Sequence, residues 1–328
     1  MVAREDGMAG RPTPPATMKA VRVHRYGGPE ELVYEDAPRP VAGEGEVLVR
    51  VNAAGVNPVD WKTRAGRGVA ELWGYRLPVI LGWDVSGVVE AVGSGVDRFA
   101  VGDEVFGMVR FPMEGAAYAE YVAAPANELV RKPAAIDHVA AAAVPLAALT
   151  AWQALFEAGE LAAGRTVLIH AAAGGVGHLA VQLAKARGAR VIGTASAANQ
   201  EFVRDLGVDL AVDYRTTRFE EVARDVDVVL ESISDEVQER SFGVLRPGGV
   251  LVSLGPVLEA AAAARGVRAR AILVRPEAGH LAEIARLIEV GGVRPAVEAV
   301  VPLAAARRAH ERSERGRTRG KIVLRVVP

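Results

Sequence analysis

TVLIHAAAGGVG, residues Thr166 to Gly177, runs directly into HLAVQLAKARGARVIGTAS. Thr166 to His170 have β character, a turn of small residues follows, and Val176, Leu179, Ala180, Leu183 and Ala184 then recur at helical spacing. After Gly188 a second β run covers Arg190 to Ala195. The stretch reads as a βαβ unit, and the rest of the chain is organised around it.

A turn built only of alanine and glycine lets the backbone approach a pyrophosphate closely. The first amides of the following helix supply donors and the positive end of its dipole. Gly174 and Gly177 fall on the second and third glycines of a G-x-G-x-x-G fingerprint, with Ala172 at the first. Strand, turn, helix and second strand agree in order and distance, so the expectation is a dinucleotide site using Gly174, Gly175, Val176 and Gly177. An ordinary tight turn would not explain three consecutive alanines before it.

The end of the second strand, where an NAD site usually carries Asp or Glu, here reads Thr194, Ala195, Ser196, Ala197. A carboxylate near a 2′-phosphate would cost roughly 4 kcal/mol at 4 Å and intermediate dielectric. Its absence, together with Thr194, Ser196, Tyr214 and the adjacent Arg215, predicts NADPH as the coenzyme. Arg215 serves equally as a solvated loop residue.

The 328 residues suffice for two domains with separate cores, and half are hydrophobic, which excludes disorder for most of the chain. A net charge of −1 gives no reason to expect nucleic acid or an anionic membrane. The sequence has no cysteine, so disulfides, thiolate catalysis and cysteine-ligated zinc are unavailable to it. The alanine-rich stretch Val139 to Leu149 is interrupted by Pro145 and too short to span a bilayer, and the first 17 residues lack an apolar signal region. The expected location is the cytoplasm.

Residues 1 to 17 combine Gly, Pro and charge without periodicity and read as a flexible extension. From Met18 to about residue 130 short β runs alternate with glycines, the pattern of a small closed β structure. Helical sequence begins near Ile136, and a boundary falls near residue 145. Beyond the fingerprint, β and α signals alternate as in a doubly wound parallel sheet, ending with β runs over Ala269 to Val274, Ala296 to Val301 and Lys321 to Val327.

MKAVRVHRYGGPEELVYED, GEVLVRVNAAGVNPVDWKTRAG, PVILGWDVSGVVEAVGSGV, GDEVFGM, AYAEYV, LTAWQAL, AAAGGVG, RPGGVLVSLG and GKIVLRV together resemble the medium-chain dehydrogenase/reductases. Within them the chain looks like the zinc-independent quinone oxidoreductase, or zeta-crystallin-like, branch. The resemblance covers about residues 18 to 327. It implies an α/β fold: a GroES-like β-barrel catalytic domain over 18–145 and 276–328, and a Rossmann NADP-binding domain over 146–275, with the active site in the cleft.

Zinc members of that superfamily hold their metal with Cys, His and Cys. The motif-matched positions here are Asn57, Trp83 and Leu146, none of them a competent ligand. Hydride transfer without a Lewis acid suits a quinone or an α,β-unsaturated carbonyl, already polarised by conjugation. A dedicated enoyl or biosynthetic reductase of a thioester or secondary-metabolite intermediate would use the same motifs. An NADPH-binding sensor with little turnover is a reading from another class.

The resemblance also distributes roles. Asn57 is expected to hydrogen-bond the substrate oxygen or the nicotinamide ribose, Asp60 to orient it or to cap the following turn, and Thr150 to stand near the nicotinamide. Leu254, Gly255 and Val274 fall where backbone groups meet the carboxamide. Glu231 to Ser234 depart from the relatives' pattern and leave the shape beneath the cofactor open. Trp61, Trp83, Phe106 and Tyr118 are pocket or barrel core. His178 is expected on the exposed side of its helix and His170 in packing, and Lys62, Tyr118 or water is left as proton donor. A homodimer paired along Arg268 to Arg275 is a further implication.

Overall fold

The computed structural model describes residues 16–327. The expected flexible extension lies outside the described residues except for its last two, of which Thr17 already pairs with Pro38 in a strand.

Six parallel strands form one sheet in the spatial order Leu210–Asp213, Arg190–Ala195, Thr166–Ile169, Val226–Glu231, Leu245–Ser253, Arg268–Ala271. Counted along the chain from Thr166, that order is 3-2-1-4-5-6, the doubly wound arrangement. Its central strands carry uninterrupted apolar runs, such as Val167 to Ile169 and Val250 to Val252, because helices cover both faces and every position is buried. Strand order reverses between Thr166–Ile169 and Val226–Glu231. The alanine-glycine turn leaves the sheet at that crevice.

A second, seven-stranded sheet is built on the long strand Glu46–Val56, which pairs with Asp84–Val92, Tyr121–Pro125 and Lys321–Arg325. Lys321–Arg325 and its parallel neighbour Val297–Pro302 bring the end of the chain back to the sheet that its beginning built. Valines 47, 49, 51, 85, 89 and 105 fill its interior with Leu81, Tyr118 and Leu129. Register here positions chemistry. Ile322 pairs with Val56 and Asp84 with Gly55, so Lys321, Asn57 and Asp84 emerge at the same end of three adjacent strands.

Three local readings need correction. Asn57 opens a true helix, Pro58–Arg64, rather than a turn. The helical stretch from Ile136 is interrupted at Pro145, giving His138–Ala142 and Pro145–Trp152, because proline is accommodated in a helix's first turn and not inside it. Short helices Val69–Trp73 and Glu259–Ala264 carry no apolar period and were not anticipated.

Glycine is required at the fingerprint's third position. A β-carbon on Gly177 would lie 2.2 Å from the Ala171 carbonyl oxygen and 2.8 Å from Ala172 Cα. Gly177→Ala should therefore force the helix off the strand and destabilise the protein by about 1–3 kcal/mol. Urea unfolding measures this, and unchanged stability would mean that the close approach is not needed.

Candidate active site

The turn after Thr166–Ile169 has two faces. On the inner face Gly174 N–H bonds the Ala171 carbonyl, and Ala171 itself takes a left-handed φ of 49°. On the outer face β-carbons at Gly174 and Gly175 would meet nothing closer than 3.2 Å and 3.4 Å. The amides of Gly175 and Val176 have no protein acceptor among the described residues. Orphan donors, an open backbone and the start of a ten-residue helix, Gly177–Ala186, fit a pyrophosphate.

The structure separates the residues expected to hold the rest of a dinucleotide. Ser196 and Tyr214 lie together at the ends of two neighbouring strands, the Tyr214 amide donating to the Ala195 carbonyl, with Tyr214 half exposed and Arg215 exposed. Thr194 faces inward instead. Its hydroxyl oxygen accepts from the Ala171 amide and meets His170 Nδ1 at 3.2 Å, so it shapes the turn from beneath. His170 is a packing residue, held also by Ser241 and lowered by burial to about 4.

At the opposite end, Leu254, Gly255 and Val274 follow the last two strands. Leu254 and Val274 share one apolar cluster with Val176 and with the helix that carries Thr150. Glu231 settles the departure beneath them: its carboxylate accepts from the Ile233 and Ser234 amides and from the Ser253 hydroxyl, so the loop is tied to the next strand. Thr150 is buried and donates its hydroxyl proton to the Leu146 carbonyl at 2.7 Å. That leaves its oxygen as an acceptor only.

His178 is a correction. It is fully buried rather than exposed, because the far side of its helix is covered by the chain returning to the second sheet. The Ala296 amide donates to His178 Nε2, so Nδ1 carries the proton and donates to the Gly174 carbonyl. Burial lowers this imidazole to about 4. Gln182, one turn on, bonds both the amide and the carbonyl of Arg294. Gly320 N–H bonds the Ala173 carbonyl. The glycine turn is thus clamped to the two strands that close the other domain.

Asn57 and Leu146, distant in sequence, converge on Asp84, the residue that follows Trp83. One Asp84 oxygen accepts from the Leu146 amide at 2.7 Å and the other from Asn57 Nδ2 at 2.8 Å. The Lys321 ammonium lies 3.5 Å from Asp84 and donates to Asn57 Oδ1. Burial raises the Asp84 carboxyl and lowers the Lys321 ammonium, and each opposes the shift of the other. Zinc does not fit here: the matched positions offer an amide oxygen already bonded by an ammonium, an indole whose N–H donates to the Met113 carbonyl, and an aliphatic side chain.

Asp60 accepts from the Asn57 amide at 2.5 Å, which completes the cap of Pro58–Arg64, and from the Tyr118 hydroxyl at 2.9 Å. Its other oxygen is buried without a partner. A polarised chain runs on behind it. Arg64, which can only donate, meets His310 Nδ1 at 3.2 Å; His310 Nε2 must then carry the proton toward Tyr118, 3.3 Å away, freeing the tyrosine proton for Asp60. Arg64 is neutralised by Glu314 at 2.5 Å. Tyr118 and Phe106 are therefore core, and the Tyr118 proton is directed at Asp60. Lys62 lies over the Trp61 ring at 5.7 Å. Sequence reading missed Lys321, Asp84, His310 and Arg64, and the only signal for any of them was a buried-looking Lys in GKIVLRV.

Two known families match in part: residues 43–134 fit the alcohol dehydrogenase GroES-like domain and residues 206–324 the zinc-binding dehydrogenase model. The chain is 37% identical to an NADPH-dependent alkenal/one oxidoreductase of Arabidopsis thaliana chloroplasts, over 96% of this chain and 81% of that one. The quinone oxidoreductase structure from Coxiella burnetii superposes with a TM-score of 0.89 at 36% identity, covering 95% of this chain and all of that one. A mycobacterial protein solved with NADPH superposes at 0.84 with 31% identity, over 94% and 100%.

Burial raises Asp60 to about 7, the Asn57 amide and Tyr118 hydroxyl acting against it. The folded state therefore binds this proton more tightly than the unfolded chain. Its contribution to stability is complete below about pH 4 and is lost as pH rises toward 7. Relative to Asp60→Asn, the wild-type protein should lose stability on the order of 4 kcal/mol across that window. Denaturant unfolding at several pH values tests this, and a pH-independent difference between the two proteins would refute it.

Proposed function

The chain belongs to the zinc-independent quinone oxidoreductase branch of the medium-chain dehydrogenase/reductases and is a nicotinamide-dependent oxidoreductase; from that premise we propose that it reduces quinones or α,β-unsaturated carbonyls with NADPH. The observation that carries the reading is that the motif-matched positions Asn57, Trp83 and Leu146 offer no zinc ligand, Asn57 and Leu146 being held on Asp84 and the Trp83 indole on Met113. When bound, the coenzyme supplies a hydride to the electron-poor carbon of the acceptor.

The chain's own residues bind and orient. Gly175 and Val176 offer amides to the pyrophosphate, Gly174 an open backbone face and Gly177 a helix start. Ser196 and Tyr214 suit a 2′-phosphate, since the strand that ends at Ala195 carries no carboxylate and the neighbouring Asp213 carboxylate accepts from the Arg215 amide. Thr150, its proton already given to Leu146, accepts from the carboxamide N–H, with Leu254, Gly255 and Val274 closing the same side. Asn57 retains one N–H beyond that given to Asp84, which suits the oxyanion formed on the acceptor or a ribose hydroxyl. Asp60 acts behind it by fixing the Asn57 backbone. With Tyr118 turned inward, the final proton is left to Lys62 or water.

No described helix is long and apolar enough to cross a membrane, and we place the protein in the cytoplasm. Arg268–Ala271 is the edge of its sheet, which supports a homodimer by strand pairing there; a monomeric mass in solution would count against it.

NADPH consumption against a panel of quinones, enones and enoyl thioesters should show turnover of the first two classes, with NADH much slower. No turnover of any conjugated acceptor would remove the reductase reading. Replacing Ser196 by Asp should weaken NADPH at least about tenfold and NADH far less, since a carboxylate at that distance opposes the phosphate by several kcal/mol. Equal effects on both coenzymes would displace the phosphate from Ser196.

A further inference from the structure

Lys321 is 264 residues from Asn57 in sequence, yet its ammonium donates to the Asn57 amide oxygen and lies against Asp84. Asn57 meets a donor at Oδ1 and an acceptor at Nδ2. Flipping the amide would set its NH2 against an ammonium and its oxygen against a carboxylate, so one orientation is enforced. The same lysine reaches the other domain. A β-carbon on Gly175 would lie 3.4 Å from Lys321 Cδ, while the Lys321 amide bonds the Ala296 carbonyl and Gly320 N–H bonds Ala173 in the turn. Ala296 in turn donates to His178 on the dinucleotide helix.

We propose that Lys321 is a positioning residue for hydride transfer: with Asp84 it fixes both ends of the Asn57 amide, and its stem registers that amide against the turn that holds the coenzyme. The inference rests on the reductase reading and deepens it. Without the ammonium, the buried Asp84 carboxyl takes up a proton and can donate as well as accept, so it no longer dictates which way Asn57 points. Replacing Asp84 by Asn removes the same discrimination from the other end.

The test compares wild type with Lys321→Met, which keeps the stem, with Asp84→Asn, and with the double variant. Three quantities are measured: NADPH affinity by fluorescence titration, kcat and KM with a conjugated acceptor, and the primary isotope effect with 4-deuterated NADPH. Lys321→Met should bind NADPH nearly as wild type while kcat falls by about 100-fold, the scale of a misplaced reacting group. The isotope effect on kcat should rise as hydride transfer becomes limiting. Asp84→Asn should show a similar loss, and the double variant should be no worse than either single one. If Lys321→Met does not fold, the double variant, which buries no charge at these positions, carries the comparison. Wild-type kcat in a folded Lys321→Met protein, or losses that add in the double variant, would overturn the proposal while leaving the reductase reading intact. A wild-type protein that turns over no acceptor would instead fail at the reading itself and take the proposal with it.

Discussion

The interaction on which the site depends is a buried ion pair. Lys321 and Asp84 are both almost wholly removed from water and 3.5 Å apart. At an effective dielectric near 20, opposite charges at 4 Å attract by about 4 kcal/mol, while desolvation costs several kcal/mol per ion. Attraction alone does not offset that. The remaining stabilisation comes from donors on the carboxylate, namely the Leu146 amide and Asn57 Nδ2, and from the Asn57 oxygen on the ammonium. A pair so nearly balanced adds little to stability. What it secures is direction: it orders one amide and one helix start, Pro145–Trp152.

That constraint extends through the seam between the two sheets. The dinucleotide helix is buried on the side that a free-standing amphipathic helix would expose, and its polar residues there, His178 and Gln182, are spent on the backbone of 294–296. Gly320 and Lys321 follow directly in the strand pairing with Ala296 and Glu46–Val56. The alanine-glycine turn and the strand that carries Lys321 are thus parts of one hydrogen-bonded unit. A His178 held neutral with its proton on Nδ1 is a condition of that unit, because a second proton on Nε2 would confront the Ala296 N–H.

The parts of this arrangement legible in the sequence were those written locally. A strand, an Ala-Gly turn and a helix in TVLIHAAAGGVG pointed to the parallel sheet that the structure shows. The resemblance of GVNPVD, LGWDVSG and VPLAALTAW to metal-site motifs drew attention to Asn57, Trp83 and Leu146, of which Asn57 and Leu146 meet on Asp84. Contacts fixed by register between distant strands left no local trace, so Lys321, Asp84, Arg64 and His310 passed as ordinary residues. His178 was misread for a related reason: periodicity finds one apolar face, and a helix covered on two sides by polar as well as apolar contacts defeats it. Thr194, read as a coenzyme contact, is drawn beneath the turn by His170, a partner that the spacing did not suggest.

The placement of charge also limits how this site can work. Asp84, Lys321 and Asp60 all lie behind the Asn57 loop, and Arg64, His310 and Tyr118 form a chain of donors whose last proton is directed at Asp60. Fixed charges so placed hold a dipole rather than meet a substrate. An acceptor that needed a strong electrophile to polarise its carbonyl would find at Asn57 one neutral N–H, whereas a conjugated acceptor delocalises the incoming electrons itself and asks mainly for alignment. Burial is the main reason why Asp60 is raised to about 7, with the nearby Asp84 carboxylate adding a smaller push and Lys321 opposing it. On the proposed reading selectivity resides in alignment, and the contact that orders Asn57 comes from Lys321, 264 residues further along the chain.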